Sequence, residues 1–123
     1  MKQASTTLIS LPSFDTGCYE GCEFLMTGGD AVLTIHVSGI PSIKLHFARV
    51  RWHQFTALYN CTPEQINGAY FAVAETLHSR SLAAYIANDK AGAKAYRELH
   101  HYRVFLDETG CHELYAQSYL LSE

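Results

Sequence analysis

The chain has 123 residues, 48% hydrophobic and 17% charged, which bounds it to a single globular domain and excludes extended disorder. Its formal net charge is −3 and its nine lysines and arginines are scattered, so the densest basic cluster, Arg49-Val50-Arg51, is too thin to hold a nucleic-acid backbone. Residues 1–12 lack the apolar core of a secretion signal, and no window approaches the ~20 apolar residues of a membrane span, so a cytoplasmic protein with neither nucleic acid nor membrane as partner is expected.

The first twelve residues are polar and unpatterned, as a frayed end or an edge element would be. Cys18 to Met26 reads as a strand, ended by the turn-forming Thr27-Gly28-Gly29-Asp30. Ala31, Leu33, Ile35 and Val37 then alternate with Val32, Thr34, His36 and Ser38, the period of a half-buried strand. After Gly39-Ile40-Pro41-Ser42, a third run places Ile43, Leu45 and Phe47 on one face, which completes an antiparallel meander. Alternation slips between Ala48 and Arg51, because Val50 and Trp52 have the opposite parity; a bulge or a strand end is expected there.

Thr62-Pro63-Glu64-Gln65 carries an N-cap threonine, a proline at the first helical position and a glutamine three residues after the cap. Gly68 ends that helix early. Ala69 to Leu77, with Tyr70, Phe71 and Val73, reads as a strand, and Ser79 caps a helix from Arg80 to Asn88 whose apolar stripe is Leu82, Tyr85 and Ile86. A second short helix is expected over 89–99. His100 to Leu106, Asp107-Glu108-Thr109-Gly110 and Cys111 to Leu121 form a hairpin. A four-residue loop would set Leu106 opposite Cys111, His101 opposite Ala116, His112 opposite Phe105 and Glu113 opposite Val104. The expected architecture is α+β: an antiparallel sheet made of the N-terminal meander and the C-terminal hairpin, with one or two short helices on one face.

Seven histidines and four cysteines invite a metal site. Cys18 and Cys22, however, would stand about 13 Å apart along a regular strand, too far for a shared ion or a disulfide. His100-His101 and Cys111-His112 fall at opposite ends of the hairpin, about 15 Å or more apart. A zinc site would need His36, His46 or His53 to contribute, so no cofactor and no metal is expected, and the four cysteines read as reduced thiols. No nucleophile elbow, phosphate-binding loop or dinucleotide fingerprint occurs, so no catalytic residue is assigned. Glu113 is the one notable carboxylate: in the expected register it shares a face with Tyr102, Leu106, Cys111, Tyr115 and Tyr119, close to Arg103 or Arg97. Burial would raise its pKa and a cation would lower it.

The run His101-Tyr102-Arg103-Val104-Phe105-Leu106-Asp107-Glu108-Thr109-Gly110-Cys111-His112-Glu113-Leu114-Tyr115-Ala116-Gln117-Ser118-Tyr119 resembles the closing hairpin of small bacterial immunity proteins that neutralise polymorphic or contact-dependent toxins. Arg51-Trp52-His53-Gln54-Phe55-Thr56 is similar to a central Arg-x-x-x-Phe element in such proteins. The resemblance implies a non-catalytic inhibitor that occludes one cognate toxin protein through an acidic or aromatic surface. The corresponding candidate surface comprises Trp52, His53, Tyr102, Arg103, Glu113, Tyr115 and Tyr119. Two alternatives stand beside it: a small-molecule-binding or catalytic domain with a pocket near Glu113, and a subunit of a homodimer or larger homo-oligomer.

Overall fold

The computed structural model describes residues 4–88 and 99–122, so the helix expected over 89–99 lies almost wholly outside the described residues. The strands are β1 (Ser5–Ser10), β2 (Tyr19–Thr27), β3 (Asp30–Val37), β4 (Ile43–Ala48), β5 (Trp52–Ala57), β6 (Ala72–Thr76), β7 (His100–Leu106), β8 (Gly110–Ala116) and β9 (Ser118–Ser122). Two short helices, α1 (Pro63–Ile66) and α2 (Arg80–Asn88), fall between β5 and β7. The strands make two antiparallel sheets, not one. The first has the order β1-β6-β7-β8-β5 and the second β2-β3-β4-β9. Strand dominates, and the helices are small additions to it.

The expected meander is β2-β3-β4, and the first residues supply an edge strand, β1. What divides the sheet is the slip noted after Phe47. At Ala48 the chain leaves the second sheet, Arg49 turns through a left-handed φ of 53°, and Trp52 enters the first sheet as the start of β5. The partner ribbon bends at the same point: Gln117 separates β8 from β9, its N–H bonds to Ala48 O at 2.9 Å, and Arg51 N–H bonds to Tyr115 O at 2.8 Å. The ladder therefore runs unbroken around a corner, the device by which strands change sheets in folded-over β structures. Leu33, Ile35, Ile43, Leu45 and Phe47 from the second sheet meet Val73, Val104, Leu106 and Leu114 from the first, all essentially inaccessible to water. Burying each such side chain contributes roughly 1.5–3 kcal/mol before entropy is counted, so this interior is the principal source of stability.

The outer face of the second sheet is open: Leu25 and Leu120 lie at the two ends of the cross-strand row Leu25–Val32–His46–Leu120, both well exposed. The outer face of the first sheet is covered by α1 and α2. Among the described residues no helix is long and apolar enough to cross a membrane.

α1 begins as its sequence dictates. Gln65 N–H donates to Thr62 Oγ1 at 3.3 Å and Thr62 N–H donates to Gln65 Oε1 at 2.8 Å, a reciprocal cap that also closes on Pro63. Replacing Thr62 with alanine removes one acceptor of the pair and should cost about 1 kcal/mol, read as a lower midpoint in urea with an unchanged slope.

The hairpin departs from expectation by one residue. Its loop is Asp107–Thr109, and Leu106 pairs with Gly110, His101 with Tyr115, His112 with Val104 and Glu113 with Arg103. Asp107 accepts the N–H of Glu108 at 2.9 Å, and Glu108 itself takes the left-handed conformation at φ 71°. Three residues thus complete the reversal, and Gly110 already belongs to β8. A one-residue slip exchanges the faces of a strand. Glu113 therefore stands with Arg103 and His101, whereas Tyr102 and Leu106 point into the interior.

Candidate functional site

Sheet pleating and this register assemble one polar row on the covered face. Ala74 pairs with Arg103, Arg103 with Glu113, and Glu113 with Gln54; the adjacent row carries His101, Tyr115 and Trp52. α1 approaches from one side, with Ile66 packed near Ala74, Phe105 and Cys111. α2 approaches from the other, its Tyr85 ring 5.3 Å from that of Tyr115. Between them remains a cavity of about 870 Å³, floored by His101, Arg103, Glu113 and Thr76 and walled by α1, Ser5 and Ser81. The size falls within the range of small-ligand sites, ~300–1,000 Å³.

Arg103 is 3% exposed and spends most of its donors on the protein. Nε donates to Thr76 Oγ1 at 2.9 Å, while Nη1 donates to the carbonyls of Glu64, Gln65 and Asn67 at 2.7, 2.9 and 3.2 Å. Those carbonyls end a helix too short to satisfy them itself, so the guanidinium acts as its C-terminal cap. Burial pushes the Arg103 pKa down from its ordinary value, against the opposing charges of Cys111, Glu113 and Glu64.

Glu113 receives His101 Nε2 at 2.9 Å on one oxygen and Gln65 Nε2 at 3.0 Å on the other. Burial alone would raise its carboxyl. The hydrogen bonds from His101 and Gln65, with the positive charge of Arg103, outweigh that and hold it below the usual carboxylate range. With Glu113 ionised, Nε2 of His101 donates to it, and Nδ1 of the same ring lies 2.7 Å from Ser79 Oγ. Ser79 Oγ in turn lies 3.2 Å from Ser81 Oγ, which accepts the Tyr115 hydroxyl at 2.8 Å. A continuous chain of hydrogen bonds links Tyr115 through two serines and an imidazole to the carboxylate.

Serine, histidine and glutamate in that order have the form of a hydrolase triad, but not its accessibility. Ser79 is buried, is absent from the cavity wall, and accepts the Leu82 N–H at 3.1 Å as the cap of α2. Ser81 does reach the cavity, but its bonds are to Ser79 and Tyr115. The chain of bonds pins α2 to the sheet.

Among the described residues the other histidines do not line the cavity. His36 bonds Glu23 and Ser42, and His46 bonds Ser122. His53 does meet His112, Nε2 to Nδ1 at 3.1 Å, while Cys22 Sγ lies 3.7 Å from the other nitrogen of the same ring. The two neighbours approach opposite edges of one imidazole and so do not converge on a point. Among the described residues no group of three or more histidine, cysteine or acidic side chains could hold a metal ion. The four cysteines are free thiols, and burial pushes that of Cys111 up to about 12.

His112 is stacked beside Phe24 and buried, and burial together with His53 lowers its pKa to about 4. The native state refuses a proton that the unfolded chain accepts near the ordinary histidine value of 6.5. Stability contributed by neutral His112 is therefore complete above pH 6.5 and lost as pH falls towards 4. At 1.36 kcal/mol per pH unit this amounts to about 3 kcal/mol. Urea midpoints should fall steeply over that window, and His112→Gln should flatten the slope.

Of the surface expected from sequence, Trp52, Arg103, Glu113 and Tyr115 share the covered face, with the Trp52 and Tyr115 rings stacked at 4.2 Å. Tyr115 is 3% exposed and lies beneath α2. His53 and Tyr102 lie on the other side of that sheet and Tyr119 on the second sheet: His53 stacks on Phe24, and Tyr102 packs between Phe47 and Tyr119. Burial raises the Tyr102 hydroxyl to about 12. Thr76 and Ser81 carry no sequence signal of their own, and His101 draws attention in the sequence only beside His100 as a candidate metal ligand. Gln65 and Ser79 had been assigned only as caps, although each also reaches into the network.

The strands and this covered face define an antiparallel two-sheet protein with a polar cavity on one outer surface. No protein-family model, no curated protein and no solved structure matches the chain.

Proposed function

We propose that the chain is a non-catalytic binding domain whose recognition site is the cavity between α1, α2 and the first sheet. The observation that carries this is the floor. A buried guanidinium and a largely buried carboxylate lie side by side, each oriented by hydrogen bonds, beneath an opening large enough for a ligand or for a partner's side chains. Rigidly held polar groups in a concave site supply orientation and specificity. A buried Ser79 and a histidine committed to structural bonds favour binding over catalysis.

The partner proposed is a protein, a cognate toxin, in line with the resemblance of the hairpin that supplies Arg103 and Glu113. A toxin side chain would enter the cavity as a central anchor, with α1 and the rim of α2 around it. The test is co-expression with the toxin domain encoded beside this chain. Wild-type protein should restore growth, Ser81→Trp, which fills the cavity, should not, and Lys44→Glu on the second sheet should behave as wild type. Equal protection by all three would remove the cavity from the interaction; no protection by wild type would remove the toxin.

A further inference from the structure

The floor of the cavity is more particular than a generic polar surface. Arg103 has five N–H donors, and those on Nε and Nη1 are engaged as described. Among the described residues Nη2 has no hydrogen-bond partner, yet no buried side-chain polar atom is left unpaired. Nη2 must therefore be open to solvent, and for a residue 3% exposed that lines the cavity, the solvent it reaches is the cavity's. Two donors of a fixed guanidinium therefore face the cavity.

Glu113 presents the complement. Each of its oxygens accepts one bond, from His101 and from Gln65, and a carboxylate has lone pairs for more. Its side chain is 12% exposed and lines the same cavity. Arg103 and Glu113 are directly opposed across β7 and β8, yet no ion pair joins them; those among the described residues all involve histidine. The two groups make no direct contact, and each retains hydrogen-bonding capacity.

We infer that this cavity takes a small zwitterion of the amino-acid or dipeptide kind, its carboxylate on Arg103 Nη2 and its ammonium on Glu113. A dianion such as phosphate would meet one cation with two carboxylates nearby, Glu113 and Glu64. A simple amine would leave the guanidinium unanswered. A neutral pair of opposite charges matches the neutral pair on the floor, and Thr76, Ser5 and Ser81 add hydroxyls around it. Ala4, Pro63 and Ile66 give the wall apolar surface for an aliphatic side chain.

The inference rests on the cavity being the recognition site, and its test is independent of any toxin. The full chain, isotopically labelled, is titrated with alanyl-leucine, with its N-acetyl derivative and with its C-terminal amide. The His101 ring and Gln65 side-chain amide signals should shift saturably with alanyl-leucine, and each blocked form should bind at least about tenfold more weakly, the worth of one charge-assisted contact. In Glu113→Gln the preference for a free ammonium should disappear, so that the N-acetyl form binds as well as the parent. Arg103→Lys, which keeps the charge and loses the fork, should weaken the parent about tenfold. Absence of saturable shifts at His101 and Gln65, or equal binding of all three compounds, would overturn the inference. Cavity-dependent toxin protection without dipeptide binding would discard the zwitterion and keep the binding function. Dipeptide binding without toxin protection would do the reverse.

Discussion

An Arg103→Met variant is expected to lose about 4 kcal/mol of stability, a large share of the ~5–15 kcal/mol that holds a domain folded. Methionine fills the space along the sheet but answers none of the bonds. The carbonyls of Glu64, Gln65 and Asn67 lose their shared donor, and Thr76 loses Nε. Each unpaired buried polar group costs about 1–3 kcal/mol, although water entering from the cavity offsets part of it. Glu113 also loses the positive charge of Arg103 while remaining largely buried, so its pKa should rise. The measurement is a urea titration, with amide exchange at Gln65 to Asn67 reporting whether α1 separates before the sheet does. A loss under 1 kcal/mol would mean that α1 does not depend on the guanidinium.

Gly110→Ala should be comparably damaging, for a different reason. Gly110 sits at φ 144°, and a Cβ there would lie 2.1 Å from Thr56 O and 3.0 Å from the Phe55 ring. Thr56 O belongs to β5, the edge strand that pairs with β8. Backbone strain of ~1–3 kcal/mol and overpacking of ~1–3 kcal/mol add to about 4 kcal/mol, unless β5 is pushed off. Near-ultraviolet circular dichroism would report that displacement through Trp52, whose ring lies on Tyr115. A variant with wild-type stability and spectrum would contradict the close approach of the two strands.

Gly110 also shows where local sequence signals stop. A glycine after Asp-x-x reads as turn chemistry, and the loop was therefore counted as four residues. The left-handed position is instead taken by Glu108, and the glycine is required by a strand more than fifty positions earlier in the chain. Its Cβ clearance is a tertiary constraint that no local pattern expresses. The error of one residue placed Glu113 beside Tyr102 and Leu106, although its proximity to Arg103 was anticipated on other grounds.

Signals carried by contiguous residues were legible. The alternation of Ala31 to Val37, the Thr62–Gln65 box and the Ser79 cap all correspond to the elements they indicated. The break between Ala48 and Arg51 was legible as a break and not as the corner that folds one sheet over another. Which strands pair across that corner is decided by burial on both sheets together. The cavity was anticipated only as a pocket near Glu113. Its floor depends on Gln65, Ser79 and His101, three residues drawn from separate elements, and the first two carry double roles that their capping signals conceal.

The most direct test of the cavity as recognition site is hydrogen–deuterium exchange on the full chain, with and without the protein proposed above as its partner. Protection on binding should concentrate at 62–67, 76–82 and 101–103, the segments that wall and floor the cavity. Protection confined to β2 and β9 around Leu25 and Leu120, with those three segments unchanged, would place the interface on the open face of the second sheet and contradict it.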